Sequence, residues 1–302
     1  VKRVISVSLG ASKRDHCVET TVLGEKFLIE RRGTDGDMAK AVKLIKDLDG
    51  KVDAFGLGGA DLYLFAGNKR YTIRDAAKIA RAAQETPIVD GSGLKNTLER
   101  RVINHLHHHE GLTFNDKKIL MVCAVDRFGM AEAINELGGQ TVYGDLIFAL
   151  GIPVRLHSLK TLNRVATIIA PIVCQLPFKY LYPTGSKQEN ICPESKFSRY
   201  YHEADIIAGD FHYIKKHLPA NIEGKIIITN TVTSEDVTEL RARGAKLLIT
   251  TTPELNGRSF GTNVMEAVLV ALSGKKLPDI SIEDYERLLT EINFVPRIEY
   301  LA

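Results

Sequence analysis

The chain has 302 residues, 44% hydrophobic and 25% charged, the balance of a folded globular protein of about two domains, not of a disordered, collagenous or coiled-coil chain. Forty Lys+Arg against 37 Asp+Glu leave a net charge of +3, too little for the electrostatic footprint of a nucleic-acid binder. No run of about 18 apolar residues appears, so no membrane-spanning helix is expected.

Val4–Leu9 reads as a strand that follows directly from Val1-Lys2-Arg3, with no signal-peptide pattern. Cys17–Val22 and Lys26–Arg31 flank Leu23-Gly24-Glu25 and read as a hairpin. Met38, Val42, Ile45 and Leu48 lie at helical spacing and predict a helix from Asp37, with Asp35 or Asp37 as N-cap. A strand over Val52–Leu57 follows, then a hairpin of Leu62–Ala66 and Arg70–Thr72 around Gly67-Asn68. A helix over about Arg74–Ala83, the short strand Ile88-Val89 and a helix over about Leu94–His107 complete this region. Hairpins mixed with β-α alternation predict a small α/β domain with a partly antiparallel sheet.

From Lys117 the rhythm is regular. Ile119–Val125 is a continuous apolar run, as in a buried parallel strand. A helix over about Gly129–Leu137, a strand at Gln140–Tyr143, a helix at Leu162–Ile169 and a polar loop over Tyr182–Glu194 come next. Strands at Asp205–Ala208, Lys225–Thr229 and Lys246–Thr250 alternate with helices at Phe211–His217 and Glu235–Arg243. A polar turn at Pro253–Arg258 leads to a helix at Asn263–Leu272, and Asp284–Leu289 is a last amphipathic helix. The pattern predicts an α/β fold: a Rossmann-like doubly wound parallel sheet plus a smaller mixed-sheet α/β N-terminal domain. The expected divisions are 1–108, 109–260 and, packing across the cleft, the helices of 261–302. Cys17, Cys123, Cys174 and Cys192 are scattered without a C-x-x-C, which predicts unpaired thiols in a reducing cytoplasm.

Three segments carry candidate chemistry. Ile119–Val125, the turn to Gly129, a helix, and Asp145 about 20 positions on have the layout of a dinucleotide site, with pyrophosphate at the helix N-terminus and ribose on the acid. Candidate cofactor contacts are Ala124, Asp126, Arg127, Phe128, Gly129, Met130 and Asp145. Thr229, Asn230 and Thr231, ending another strand, would touch a nicotinamide or cap the next helix. No base follows Asp145, which favours NAD without excluding NADP. If Gly129 is the third glycine of the fingerprint, the first two positions are Ala124 and Asp126, and a carboxylate at the second repels a pyrophosphate.

The second segment is Asp90–Thr97. Lys95 and Asp90 are the candidate catalytic pair, Lys95 exchanging a proton if desolvation lowers its pKa. Ser92, Asn96 and Thr97 are candidate substrate contacts, and the plainer reading is a helix cap beside a solvated lysine. In the third, Thr250–Asn263, Arg258 and Asn263 would hold a carboxylate or hydroxyls, or the run is a structured helix cap. His105, His107, His108 and His109 read as an exposed linker and no metal site is assigned, although His105 and His109 have the i, i+4 spacing of ligands. Lys13-Arg14-Asp15-His16 reads as an anion site or as ordinary surface.

Val4–Gly10, Thr86–Leu98, Ile119–Glu132 and Thr251–Glu266 together resemble bacterial quinate 5-dehydrogenases and predicted amino-acid dehydrogenases, over nearly the whole chain. The order of elements is similar to that of shikimate dehydrogenase. Lys95-Asn96-Thr97-Leu98 stands where that family has Asn-Thr-Asp-Gly. The resemblance implies an NAD(P)-dependent oxidoreductase of a small polar hydroxy- or amino-acid such as quinate or shikimate. Lys95 would manage the hydroxyl proton, and Arg258 or Arg127 the carboxylate. Asp126 sets the alternative: a non-redox Rossmann-like ligand-binding or regulatory module with a degenerate nucleotide loop. The expected partners are a small-molecule substrate, no nucleic acid, no membrane and, on base rates alone, a second copy in a homodimer.

Overall fold

The computed structural model describes residues 1–66, 69–177, 196–252, 254–255 and 258–302. The expected turn at Gly67-Asn68, the loop 182–194, Cys192 and part of the 253–258 turn lie outside them.

The first lobe runs β1 (Lys2–Ser8), β2 (His16–Val22), β3 (Glu25–Gly33), α1 (Met38–Leu48), β4 (Ala54–Gly58), β5 (Tyr63–Ala66), β6 (Lys69–Thr72), α2 (Arg74–Ala80) and β7 (Ile88–Val89). Its sheet has the order β2-β3-β1-β4-β7, with β3, β1, β4 and β7 parallel and β2 antiparallel at the edge. The helix α1 starts where expected because the Asp37 carboxylate accepts the Lys40 N–H (2.9 Å), taking one of the orphan amides of a first turn. On one face Ile5, Val7 and Leu57 pack against Ile45 and Ile79 of α1 and α2.

The second lobe follows α3 (Ser92–His108). It comprises β8 (Lys118–Met121), α4 (Phe128–Glu136), β9 (Gln140–Tyr143), α5 (Asp145–Phe148), α6 (Leu159–Val173), α7 (Ser198–Glu203), β10 (Ile206–Ala208), α8 (Phe211–Lys216), β11 (Ile226–Thr229), α9 (Ser234–Ala242) and β12 (Leu247–Thr250). After the two-residue strands β13 (Glu254–Leu255) and β14 (Arg258–Ser259) come α10 (Thr262–Ser273), α11 (Ile282–Glu291) and β15 (Arg297–Tyr300). The second sheet has the order β9-β8-β10-β11-β12-β15, all parallel except β15. Of its inner strands, β10 and β12 are buried along their whole length and β8 and β11 at all but their first residue, which is why they read as apolar runs rather than alternations.

The α/β class therefore holds, as two lobes of mixed, mainly parallel sheets. In both, the first strand has the second parallel strand on one side and the third and fourth on the other, a doubly wound order. The chain passes between lobes three times. It leaves after β7 through α3. It returns in α10, whose Val264, Ala267 and Val268 cover the free face of the first sheet against Val4, Ala54 and Val89. It then leaves again, so that β15 pairs with β12. A further tie is the β5–β6 hairpin, whose Leu64 and Tyr71 pack on the small side chains Ala166 and Ala170 of α6.

Several elements differ from expectation. The strand predicted over 119–125 stops at Met121, because the Asp145 carboxylate takes the Val125 N–H (2.9 Å) and turns that segment out of the sheet. α6 runs on through Pro171 to Val173, close enough to its end that few helical bonds are lost. α5, α7 and β15 were not legible: the first two are short, and β15 (RIEY) is held by its antiparallel partner, not by an apolar pattern. No helix among the described residues is long and apolar enough to cross a membrane.

Candidate functional site

In open α/β sheets, ligands collect at the C-terminal strand ends where the strand order reverses. In lobe 1 that point lies between β1 and β4, which deliver Ser8–Arg14 and Gly58–Asp61. In lobe 2 it lies between β8 and β10, which deliver Val122–Arg127 and Gly209–Tyr213. Lys95, on the helix that leaves lobe 1, joins the two. Its Nζ lies 2.8 Å from Asp126 Oδ1 and 3.3 Å from Asp61 Oδ1, and the three side chains are only 13–17% exposed. Burial by itself pushes the lysine pKa down, but Asp126 and then Asp61 outweigh it and hold the ammonium above its ordinary value. Burial likewise opposes ionisation of Asp126, yet Lys95 and Arg127 bring its pKa down to about 2. Both stay charged at neutral pH.

Behind this seam sits a drier network. Arg127 is 3% exposed and reaches Glu99, Asp210 Oδ2 (3.0 Å) and Asp126 Oδ2 (3.5 Å). Asn230 fixes the far end, donating to Asp210 Oδ2 (2.8 Å) and accepting the Phe211 N–H (3.1 Å). Burial raises the Glu99 pKa, with Arg127 and Lys95 acting against it. Burial also keeps the Cys123 thiol well above its ordinary value, so it presents no thiolate at neutral pH. The arrangement suits binding and orientation by fixed charges.

The structure redistributes the expected site residues. Lys95 is close to the cleft as expected, but its pKa moves up, against the condition for proton exchange. Asp90 is not its partner: that carboxylate accepts the Leu62 N–H (2.6 Å), the Tyr63 N–H (3.2 Å) and both the N–H and the hydroxyl of Ser92. Asn96 accepts from Arg100 Nε (2.8 Å) and lies against Gly129, where an added Cβ would come within 2.8 Å of the Asn96 carbonyl oxygen. Glycine at 129 thus serves the crossing of α3 over the first turn of α4, and Thr97 is buried in the same interface. Ala124 and Met130 are fully buried and Phe128 packs against the same core. Thr229 donates to the Gly209 carbonyl (2.8 Å), and Thr231 follows Asn230 in the same turn. Asp145 binds the Val125 amide and is raised to about 6 by burial. Asn263 donates to Ser6 Oγ (2.9 Å), pinning α10 to β1. The Arg258 side chain lies outside the described residues. Among the described residues no group of three metal-ligating side chains forms, and His105 pairs with Glu110 (3.3 Å).

Asp61, Glu99 and Asp210 escaped the sequence reading. For two of them a signal was present. Gly58-Gly59-Ala60-Asp61 and Gly209-Asp210 each place an aspartate just past a strand, as Val125-Asp126 does.

Residues 93–301 match the family described as "Domain of unknown function (DUF8754)", and residues 3–90 match "Domain of unknown function (DUF8753)". The first match spans more than half of the chain, and the chain belongs to that family. No curated protein matches the sequence. Similar solved structures include an ABC transporter solute-binding protein from Agrobacterium vitis with bound allitol (14% identity, 99% of this chain and 95% of that one, TM-score 0.40). A galactofuranose-binding protein (12%, 97% and 99%, TM-score 0.34) is another. So is a 5-methylthioribose transporter solute-binding protein from Thermotoga lettingae (10%, 99% and 86%, TM-score 0.37). Similarity at this level carries no inference about the ligand.

These findings correct two expectations. The resemblance to quinate and shikimate dehydrogenases is replaced by the two domain families. The reading as an NAD(P)-dependent oxidoreductase, which rested on that resemblance, falls with it. The geometry agrees, since Lys95 and Asp90, the intended catalytic pair, are each committed to other partners.

Proposed function

We propose that this member of the DUF8754 family is a two-lobed binding module that holds a small polar molecule between the C-terminal strand ends of its two sheets. The observation that carries the reading is the seam itself: Asp61 of lobe 1 and Asp126 of lobe 2 meet on one lysine, at the point where both strand orders reverse. Carboxylates there accept hydroxyls, while Lys95 serves an acceptor. Three chain crossings beside the seam suit hinge closure around a ligand.

The test is a thermal-denaturation screen of the full chain against sugars, polyols, hydroxy acids and phosphate esters, with X-ray scattering for shape. One class should raise Tm by several degrees, as binding to the folded state requires. Lys95→Met should weaken that shift at least tenfold in ligand concentration and enlarge the radius of gyration, because Asp61 and Asp126 then repel across the seam. No shift with any class, together with an unchanged radius in Lys95→Met, would remove the proposal.

A further inference from the structure

We infer that the outward face of α6 is a docking surface for an anionic lipid bilayer, with Lys160 and Arg164 at the headgroups and Ile168 and Ile172 at the acyl boundary. These residues take no part in the seam on Lys95.

The surface begins with a local bias in the sequence. From Leu146 to Gln188 there is no Asp or Glu, in a chain that has 37 of them, while Arg155, Lys160, Arg164, Lys179 and Lys187 all fall there. A net charge of +3 and the lack of a spanning helix led to the expectation of no membrane partner, but neither registers a one-sided stretch of surface. The same stretch carries exposed aliphatic side chains. Ile168 and Ile172 are 71% and 65% exposed, and apart from the terminal Val1 no large apolar side chain among the described residues is more exposed than Ile168. Leu150, Ile152 and Val154 before the helix and Leu176 after it are exposed as well.

The helix aligns these groups. Its inner face is fixed by the buried Leu162, Ala166 and Ala170, and its start by Ser158, whose hydroxyl accepts the Thr161 N–H (3.1 Å). Lys160, Arg164, Ile168 and Ile172 follow at steps of four and are all exposed, a stripe about 18 Å long on the outer side. Lys160 and Arg164 have no hydrogen bond or ion pair among the described residues, whereas Arg155 is held by Glu203 (2.6 Å).

Charge and shape select the occupant. Unpaired cations beside protruding aliphatic side chains suit an anionic bilayer: the aliphatics enter the headgroup–acyl boundary while the long Lys and Arg side chains reach back to the phosphates. Side chains this exposed form a ridge, not a groove that would take a peptide. A second copy laid along the stripe would bring more cations to a face with no carboxylate of its own to pair them.

The experiment sediments the full chain with vesicles of phosphatidylcholine alone and with about 30% phosphatidylserine, in about 0.05 M and 0.5 M salt, beside sedimentation velocity without vesicles. The anionic vesicles should carry the chain down at low salt about tenfold more strongly than neutral ones, and release it at high salt. Ile168→Ser with Ile172→Ser should abolish sedimentation, and Lys160→Gln with Arg164→Gln should weaken it about tenfold. All four side chains are exposed, so Tm should stay unchanged in both variants. Equal binding to neutral vesicles, or binding that survives in both variants, overturns the inference. No binding to either vesicle overturns it too, and a dimer that the isoleucine variant dissolves would then give the face to a second copy.

Discussion

The two lobes share a strand order and end their strands in opposite ways. In lobe 2 the charges at the reversal point are spent on one another: Arg127 is enclosed by Glu99, Asp126 and Asp210, and Asn230 closes the chain of contacts. In lobe 1 the same point is lined by Gly10, Gly58 and Gly59, and Arg14 and Arg31 pack closely against Gly10. One topology thus supplies a cluster of ion pairs in one lobe and a close-packed glycine turn in the other. The difference lies in which residue follows the first strand: a glycine turn after β1, an Asp-Arg pair after β8.

The sharpest way to break this contrast is Arg127→Met. It leaves three carboxylates facing a buried gap, and removing one partner of a buried ion pair costs about 3–5 kcal/mol. Urea denaturation should show a loss of that order, shrinking as the pH falls and the carboxylates take up protons. A loss below about 1 kcal/mol would make lobe 2 no more pre-assembled than lobe 1.

The next effect sits between the lobes. Glu266 on α10 accepts the Gly91 N–H (2.7 Å) at the first crossing and the Tyr285 hydroxyl (2.9 Å) of α11. Burial, and then Asp90, raise its pKa to about 8 from the ordinary 4.5. Between those values the folded state holds a proton that the unfolded state has lost, so stability falls as pH rises, by up to about 1.4 kcal/mol per unit. Asp145, raised to about 6, adds the same sign only at lower pH. Denaturation midpoints between pH 6.5 and 8 should therefore decline in the native chain and stay nearly flat in Glu266→Gln; equal slopes would take the carboxyl out of the hinge.

The smallest effect is in lobe 1. Asn263→Ala removes the bond to Ser6 and should cost about 1 kcal/mol. Amide exchange should quicken in β1 and β4 and leave β8 and β10 untouched. Equal loosening of both sheets would show that the lobes do not behave as separate units.

Much of the fold was legible because its signals are local. The Gly24 turn, the Asp37 cap, the apolar runs at β10, β11 and β12 and the period of α10 each lie within a dozen residues. The site was legible only in part. Asp126 stood out because it breaks a glycine pattern, and Lys95 because it opens a helix, but the partner first assigned to Lys95 was the wrong aspartate.

What the sequence by itself determined is therefore the alternation of strands and helices, the buried parallel sheet of lobe 2 and the segments past the strand ends where polar groups gather. Only the tertiary structure decided that Lys95 pairs with Asp61 and Asp126, which lie 34 and 31 residues away, and that Glu266 meets Gly91 from 175 residues away. Periodicity reports which face of an element is buried. Which charges meet depends on three chain crossings and on strand order, and these are set by the packing of whole elements rather than by any local run of residues.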